Sequence, residues 1–408
     1  MDKISVVLVA IGGYGNNYVK AILEEGDAYG VEIVGAVDPY PETCMYLEKL
    51  KGKGVPIYSD LKDFYKMQRA DLTVISSPIH FHCKQTVVAL ENGSNVLCEK
   101  PASATVQEIR EMILTRNKTG LKVAIGFQWA YDPAYIALKE DVMKGLLGRP
   151  KRLKTLVLWP RNTAYYRRSS WAGRKRDERG NWILDSVANN ATAHFLHNML
   201  HLLGKSMESS TMPVEVTAEL YRANPIENFD TSTIRVLTED GVEILFYATH
   251  AVKNLFGPIF AYEFESAIVV YNDPNIPESS NNLVARFKNG VIKEYGSPNH
   301  GSIRKLWKTI DAIRGEDIIY CPIESAMAHT LTINGAQEST PDITEFPEKL
   351  IKREGEPELI WVEGLEEALK YCYREEALPS EIGITWAKPG RKISLVGYTH
   401  FPTKYTNQ

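Results

Sequence analysis

The sequence predicts an α/β protein that opens with a parallel, doubly wound sheet and continues into a strand-rich second domain. Three observations carry this. Over the first third of the chain, short apolar runs alternate with helical stretches of about 10–15 residues. The first run, Ile4 to Val9, passes directly into a glycine-rich turn. From Pro213 onward the texture becomes apolar–polar alternation, with Glu239-Asp240-Gly241 and Lys288-Asn289-Gly290 placed as hairpin turns. At 408 residues the chain is too long for one ordinary core, and its 44% hydrophobic and 24% charged content is that of a soluble globular protein. A formal net charge of -4 with mixed signs weighs against nucleic acid or an anionic membrane as the main partner. No run approaches the roughly 18 apolar residues that span a bilayer. The N-terminus lacks a leader pattern. Cys44, Cys83, Cys98, Cys321 and Cys372 form no CxxC pair, so neither a disulfide framework nor a zinc knuckle is expected, and a reducing cytoplasm is the expected home.

The first strand, uncharged and rich in valine, suits an inner position covered on both faces. The turn reads Ala10-x-Gly12-x-x-Gly15, with alanine in the first glycine position and Gly13 and Tyr14 inside it. A helix starting there points free N–H groups at the turn, an arrangement that favours a phosphate. A second strand, Val31–Val37, ends in Asp38, 23 residues past Gly15. An acidic side chain at that spacing takes a ribose 2′-hydroxyl and repels a 2′-phosphate, which favours NAD over NADP. Helices are then expected over 42–50, 60–66, 84–91 and 106–115, and strands over 55–57, 71–75, 95–97 and 121–127. Gly12, Asp38, Ser77, Lys100 and Gln128 all fall at the carboxyl ends of strands, the edge at which a doubly wound sheet binds its ligand.

Glu99-Lys100-Pro101 belongs to a wider pattern. It includes the glycine turn, Asp38-Pro39, Ser77-Pro78 with His82 four residues on, the run Asn95 to Pro101, and Gly126-Phe127-Gln128 leading to Asp132-Pro133. With these motifs the chain resembles the glucose-fructose oxidoreductase / inositol dehydrogenase / rhizopine catabolism family (Gfo/Idh/MocA) over residues 3–340. The resemblance implies an N-terminal Rossmann-type domain binding a nicotinamide cofactor. It implies a second α/β domain whose open, mostly antiparallel sheet often forms the subunit interface, hence a homodimer or homotetramer. The chemistry it implies is hydride exchange with a secondary hydroxyl of a sugar, sugar derivative or cyclitol. Expected domains are 1–128 for the dinucleotide, 129–340 for substrate and oligomerisation, and 341–408 as a C-terminal extension. The expected cofactor contacts are Ala10, Gly12, Gly13, Tyr14, Gly15, Asp38, Ser76, Ser77, Pro78, His82, Glu99, Lys100 and Gln128.

In the second domain, helices are expected over 133–147, 303–314 and 325–339, and strands over 153–159, 214–221, 231–238, 242–249, 260–271, 283–287 and 291–295. The informative stretch is Trp171 to Gly204. On a helix, Asn190, His194, His197 and His201 share one face. His197 and His201 sit among Leu196, Met199, Leu200 and Leu202, as a packed face would, and without an HExxH pattern no metal is expected. The related family carries an Asp on this helix, a His four residues later and another Asp three beyond. Counted back from Leu202-Leu203-Gly204, His194 takes the histidine position, while Asn190 and His197 stand in the acidic ones. Asp185, five residues before Asn190, is the nearest acid and marks a departure from the family.

A histidine, with a reference pKa of about 6.5, suits removal of a hydroxyl proton. His194 is therefore the expected base. Lys100 is the expected partner for the developing negative charge, Asp185 or Asn190 the orienter, and Glu99 the residue that places Lys100 or the nicotinamide ribose. Tyr131, Trp171, Lys175, Trp182, Asn189 and His197 join Lys100 and His194 as substrate contacts, since aromatic and polar groups together suit a sugar ring. The basic clusters Lys151-Arg152-Lys154 and Arg174-Lys175-Arg176-Arg179 read either as solvated loops or as contacts to an anionic ligand. Two rival readings stand beside the dehydrogenase: an NAD-dependent glycosidase working by transient oxidation and elimination, and a non-catalytic nucleotide and sugar sensor. In the extension, strands are expected over 359–362 and 395–398 and a helix over 365–374. Trp361, Trp386, Tyr398, Phe401 and Tyr405 are too apolar for a free tail, so it should pack on the second domain or a neighbouring subunit.

Overall fold

The computed structural model describes residues 3–277 and 279–403, so Tyr405 lies outside the described residues. The chain divides into two compact units. One comprises Met1–Tyr131 with Asn299–Met327, and the other Asp132–Pro298 with Ala328–Gln408.

The first unit is built on six parallel strands: β1 (Ile4–Val9), β2 (Val31–Val37), β3 (Ile57–Tyr58), β4 (Leu72–Ile75), β5 (Asn95–Cys98) and β6 (Val123–Ile125). Their order is β3-β2-β1-β4-β5-β6. The chain runs outward from β1 to β3 and then returns to the other side of β1. The carboxyl ends of β1 and β4 thus form the switch point at which such sheets bind ligands. β1 has a partner on both sides, and Val6 to Val9 are buried, as its uncharged apolar run requires.

Residues 299–327, expected with the second domain, fold with the first. Trp307 of the helix Arg304–Arg314 stacks on Tyr29 with ring centroids 4.0 Å apart, Leu306 and Ile310 are buried, and the Ile125 N–H donates to the Cys321 carbonyl at 2.8 Å. The amphipathic pattern of this helix was readable, but it does not say which sheet the helix covers.

The second unit carries a ten-stranded sheet that is open rather than closed into a barrel. Its strands are β7 (Pro150–Leu158), β8 (Pro213–Arg222), β9 (Thr231–Thr238), β10 (Glu243–Thr249), β11 (Phe256–Phe264), β12 (Ala267–Tyr271), β13 (Leu283–Phe287), β14 (Ile292–Gly296) and β15 (Thr344–Glu345). A separate hairpin follows, of β16 (Ile351–Glu354) and β17 (Leu359–Val362), and then β18 (Ile393–Ser394), which pairs with β8 of the large sheet. The order is β14-β13-β12-β11-β7-β10-β9-β8-β15, with β7–β10 and β8–β15 parallel and the other pairs antiparallel. Three local expectations need correction. The run 260–271 is two strands, because Glu265-Ser266 turns the chain without a glycine to mark it. The helix expected to 147 ends at Met143, ahead of Gly145 and Gly148, both in the left-handed region. Residues 395–398 form a turn beyond β18 rather than a strand.

One face of this sheet receives the helix Ala193–Leu202, where the Thr155 hydroxyl donates to Met199 Sδ at 3.4 Å. On the other face Leu156, Leu158, Leu245 and Tyr247 pack with Val362, Leu365, Leu369, Cys372 and Tyr373 of the C-terminal extension. The sheet face expected to meet a partner subunit therefore carries the chain's own extension. Ion pairs tie the two together: Lys154 to Glu376 at 2.9 Å, Arg235 to Glu381, and Arg152 to Glu376. The extension's aromatic rings are occupied. Trp386 stands edge-on to Tyr221 at 5.0 Å, Phe401 to Trp182 at 4.9 Å, and the Tyr398 hydroxyl donates to Glu338 at 2.7 Å. Among the described residues no helix is long and apolar enough to cross a membrane.

Candidate cofactor and active site

In the glycine turn, glycine is required by contact. A Cβ on Gly12 would lie 2.1 Å from Thr43 Oγ1, and one on Gly15 would lie 1.9 Å from the Ala10 carbonyl oxygen. Ala10 itself sits at φ 63°, a conformation glycine would adopt freely. At Gly13 a Cβ would meet nothing within 4 Å, so that side of the turn is open. Tyr14 precedes the helix Gly15–Glu25 and gives it no side-chain cap, which leaves the helix start suited to an anion.

Asp38 holds this turn. Its Oδ2 accepts from the N–H of Ile11 at 2.9 Å and of Gly12 at 3.3 Å, and its Oδ1 accepts from Tyr40 N–H at 2.8 Å. A carboxylate offers about four acceptor positions, so capacity remains for a ribose hydroxyl. A turn open on one side beside an uncapped helix start, with a carboxylate at the second strand's end, fits a dinucleotide.

The neighbouring strand ends lock to each other. Ser76 Oγ donates to the Ala10 carbonyl at 2.8 Å, and Ser77 Oγ donates to Gln85 at 2.6 Å. Pro78 immediately precedes the helix Ile79–Glu91, which starts five residues earlier than expected. His82 is buried, with one ring nitrogen 2.8 Å from the Pro101 carbonyl and the other 2.7 Å from the Ser77 carbonyl. It braces two loops of the edge through both ring nitrogens. Burial pushes its pKa down against the pull of those two carbonyls.

At the end of β5, Glu99 is the centre of a buried polar cluster. Its Oε1 accepts from the Tyr18 hydroxyl at 2.5 Å and pairs with Lys305, and its Oε2 accepts from the Lys100 N–H at 3.2 Å. Lys305 also donates to Tyr14 Oη and to the Gly126 carbonyl, both at 3.2 Å. Burial lowers the Lys305 pKa, but Glu99 and Tyr14 outweigh it and the net direction is upward. Burial and then Glu99 raise Tyr18 well above the usual phenol range, so it stays a donor. Lys305 thus joins the Glu-Lys-Pro segment to the glycine turn. Sequence reading missed it, although a signal exists: Lys305 lies in line with Thr309 and Ala312 on the buried stripe of its helix. Gln128 opens a single 3₁₀ turn beside this edge. Tyr131, expected at the substrate, is fully buried, with its hydroxyl 3.3 Å from the Ile125 carbonyl.

In the second unit, residues Val187–Ala191 form a π turn, and the regular helix begins only at Ala193. Asn190 and His194 therefore do not share one continuous α-helical face. The Ser186 hydroxyl accepting from Asn189 N–H at 3.1 Å and Thr192 Oγ1 donating to the Val187 carbonyl at 2.6 Å hold the wider turn. That turn brings Asn190 back onto Asp185, Nδ2 to Oδ1 at 2.8 Å, while Asp185 Oδ2 accepts from Gly173 N–H at 2.6 Å. The displaced acid is thus linked both to the position it was expected to replace and to the loop at Trp171. Asn189 is buried and donates to the Leu184 carbonyl at 3.0 Å, a structural role.

His194 is partly exposed, whereas His197 and His201 are buried, stacked at 5.4 Å, with Lys139 Nζ 3.1 Å from His201 Nε2. Burial, then the neighbouring His201, His329, His194 and Lys139, drive the His197 pKa well down. His197 is a neutral core residue rather than a substrate contact. Trp171 lies under the Arg168 guanidinium at 5.1 Å, and Trp182 under that of Arg176 at 3.4 Å. Lys175 reaches the Pro341 carbonyl at 3.4 Å, and burial, then Arg222, lower its pKa. Ala172 and Arg174 border a cavity of about 460 Å³. Among the described residues no group of three His, Cys, Asp or Glu side chains could hold a metal ion.

Residues 4–127 match the Gfo/Idh/MocA family model, an oxidoreductase family with an NAD-binding Rossmann fold. The matched residues lie within the first unit and cover its parallel sheet. The chain is 28% identical over 162 residues to inositol 2-dehydrogenase of Rubrobacter xylanophilus, covering 40% of this chain and 45% of that protein. It is 30% identical over 118 residues to D-glucoside 3-dehydrogenase of Escherichia coli, covering 29% and 33%. The matched segment therefore spans less than half the length of these relatives. In fold, the chain is similar to the WlbA dehydrogenase from Bordetella pertussis, solved with NADH and UDP-GlcNAcA. The TM-score is 0.67 at 20% identity, over 83% of this chain and 97% of that one.

Proposed function

We propose that the protein is an NAD-dependent oxidoreductase that exchanges hydride with a secondary hydroxyl of a sugar, sugar derivative or cyclitol. The observation that carries this reading is the edge of the first sheet. There a glycine turn after β1, braced by Asp38 at the end of β2, and the Glu99-Lys100 pair after β5 lie along the same carboxyl edge, with β4 between β1 and β5. The names of the similar proteins, which act on inositol and on glucosides, support the substrate class. The carboxylate at Asp38 favours NAD, since it attracts ribose hydroxyls and repels a 2′-phosphate. Bound NAD would supply the hydride acceptor. Lys100 donates a hydrogen bond to the reacting oxygen and stabilises its growing negative charge. His194 takes the hydroxyl proton. Asp185 and Asn190 act together as positioning residues. A reducing compartment such as the cytoplasm suits the five free thiols.

The test is reduction of NAD with a panel of sugars, glycosides, sugar acids and cyclitols. Lys100→Met is expected to lower kcat about 10²–10³-fold, as loss of an oxyanion-stabilising donor does. His194→Ala is expected to lower it about 10²–10⁴-fold. Turnover unchanged in both variants would overturn the assignment. Release of an aglycone without accumulation of NADH would favour the glycosidase alternative.

A further inference from the structure

We infer that the cavity beside the Trp171–Arg174 loop is a subsite for an acidic group on the substrate, a carboxylate or a phosphoryl group attached to the sugar. The inference rests on the reading of the second unit as the substrate-binding part. The cavity, about 460 Å³, lies within that unit and is lined in part by Tyr166, Arg167, Ala172, Arg174, Ile226 and Glu227. Its volume is within the range of small-molecule pockets.

Two arginines border it. Elsewhere in this unit Arg149, Arg152, Arg222 and Arg235 each pair with a glutamate. Among the described residues, neither Arg167 nor Arg174 has a carboxylate partner. Two guanidinium groups at one concavity are suited to an oxyanion, which each can meet with paired N–H donors. Tyr166 lines the same space, and its buried hydroxyl has no hydrogen-bond partner among the described residues. An orphaned buried donor costs stability unless a ligand or water satisfies it. Burial, then Asp230, Tyr165 and Asp185, keep that phenol protonated and able to donate.

Glu227 is already engaged, its Oε2 accepting from Lys175 N–H at 3.1 Å, and it offers an acceptor for a sugar hydroxyl. The wall is also connected to the proposed positioning residues, since Gly173 donates to Asp185 and Asp185 to Arg174 through the backbone, Asp185 N–H to the Arg174 carbonyl at 3.0 Å. Ile226 closes against Gly173, where a Cβ would come within 2.7 Å of its Cγ2. Of the basic cluster 174–179, Arg176 is spent on Trp182 and on the Gly180 carbonyl, which leaves Arg174 as the member that faces the cavity.

Isothermal titration of the full chain with D-glucuronate, glucose 6-phosphate and glucose tests this without any turnover. At least one acidic sugar is expected to bind about tenfold or more tightly than glucose, with the tighter acid identifying the carboxylate or the phosphoryl source, and added salt should weaken it. Arg174→Gln and Arg167→Gln should each lower affinity for that acid by about tenfold and leave glucose unchanged, as loss of a charge-assisted pair does. Tyr166→Phe should lower it by a smaller factor. Arg167 is exposed, so its substitution reads binding even if Arg174→Gln impairs folding, which thermal unfolding reports. Glucose binding as tightly as both acids, or acid affinity unchanged in Arg167→Gln, would overturn the subsite. Acid binding lost in the arginine variants, with no NAD reduction across the panel, would keep the subsite and remove the oxidoreductase reading. Turnover of neutral sugars, untouched by the arginine substitutions, would do the reverse.

Discussion

Replacing Lys305 with methionine is expected to destabilise the first unit by about 3–5 kcal/mol, the cost of leaving a buried charge without its partner. Lys305 and Glu99 are 1% and 10% exposed at their side chains, so water cannot replace the lost ammonium. The Tyr18 hydroxyl and the Lys100 N–H still reach Glu99, but they are dipoles and do not balance its charge. The double variant Lys305→Met with Glu99→Gln should recover most of the loss, because the carboxylate that required the cation is gone. Urea unfolding of the four proteins of this cycle measures it. A single-variant loss below about 1 kcal/mol, the size of an exposed pair, would show that the pair is not the buried link described.

The pH dependence has a definite sign. Lys305 has a raised pKa in the folded state, so its contribution is complete below the unfolded lysine value of about 10.4. It is lost only as pH rises through the higher folded value. Between pH 7 and 9 the difference between wild type and Lys305→Met should therefore stay constant.

How much of this was legible in the sequence depends on the range of the interaction. The parallel sheet was legible, because inner strands such as β1 and β5 are short uncharged runs and the ligand edge follows from strand polarity alone. Asp38 was legible by its spacing from Gly15. Its further role, closing the turn through Ile11 and Gly12, was not, since backbone N–H groups leave no mark in a sequence. Lys305 was missed because its partner lies about two hundred residues away, and a lysine on a helix reads as solvated unless its buried stripe is traced. The Asp185 puzzle resolves through a π turn. Regular helical counting places Asn190 and His194 four apart on one face, but the wider turn instead folds Asn190 onto Asp185. His197 and Tyr131 looked like polar candidates by residue type, yet both are core residues, which only packing decides. The extension was recognised as too apolar to be free. That it would cover a face of its own sheet depends on Lys154 and Arg152 finding Glu376, and Arg235 finding Glu381, across long separations.

The second large effect is expected at Gly15. Gly15→Ala should weaken NAD binding about 100-fold or more, equivalent to about 2.7 kcal/mol, while lowering stability by about 1–3 kcal/mol, the usual cost of overpacking. The added methyl would stand 1.9 Å from the Ala10 carbonyl and 3.0 Å from Ser76 Oγ. The first obstacle is backbone and cannot rotate away. Relief requires β1 and the helix Gly15–Glu25 to part, which moves the helix start away from the position an incoming phosphate would use and strains the Ser76 bond to Ala10. Gly13→Ala provides the contrast. There the methyl meets nothing, and the cost is only that of a left-handed alanine, about 1–2 kcal/mol, at φ 51°. Ala10 already tolerates φ 63° in the same turn, so the backbone can hold such a residue in place. Gly13→Ala should thus lose stability without displacing the helix start as Gly15→Ala does, and its loss in NAD affinity reads only the methyl placed on the open side of the turn. Titration of NADH fluorescence in both variants, beside their unfolding midpoints, separates the two costs. Equal NAD affinities in wild type and Gly15→Ala would mean that the turn does not hold the pyrophosphate, and the cofactor assignment would fall with it.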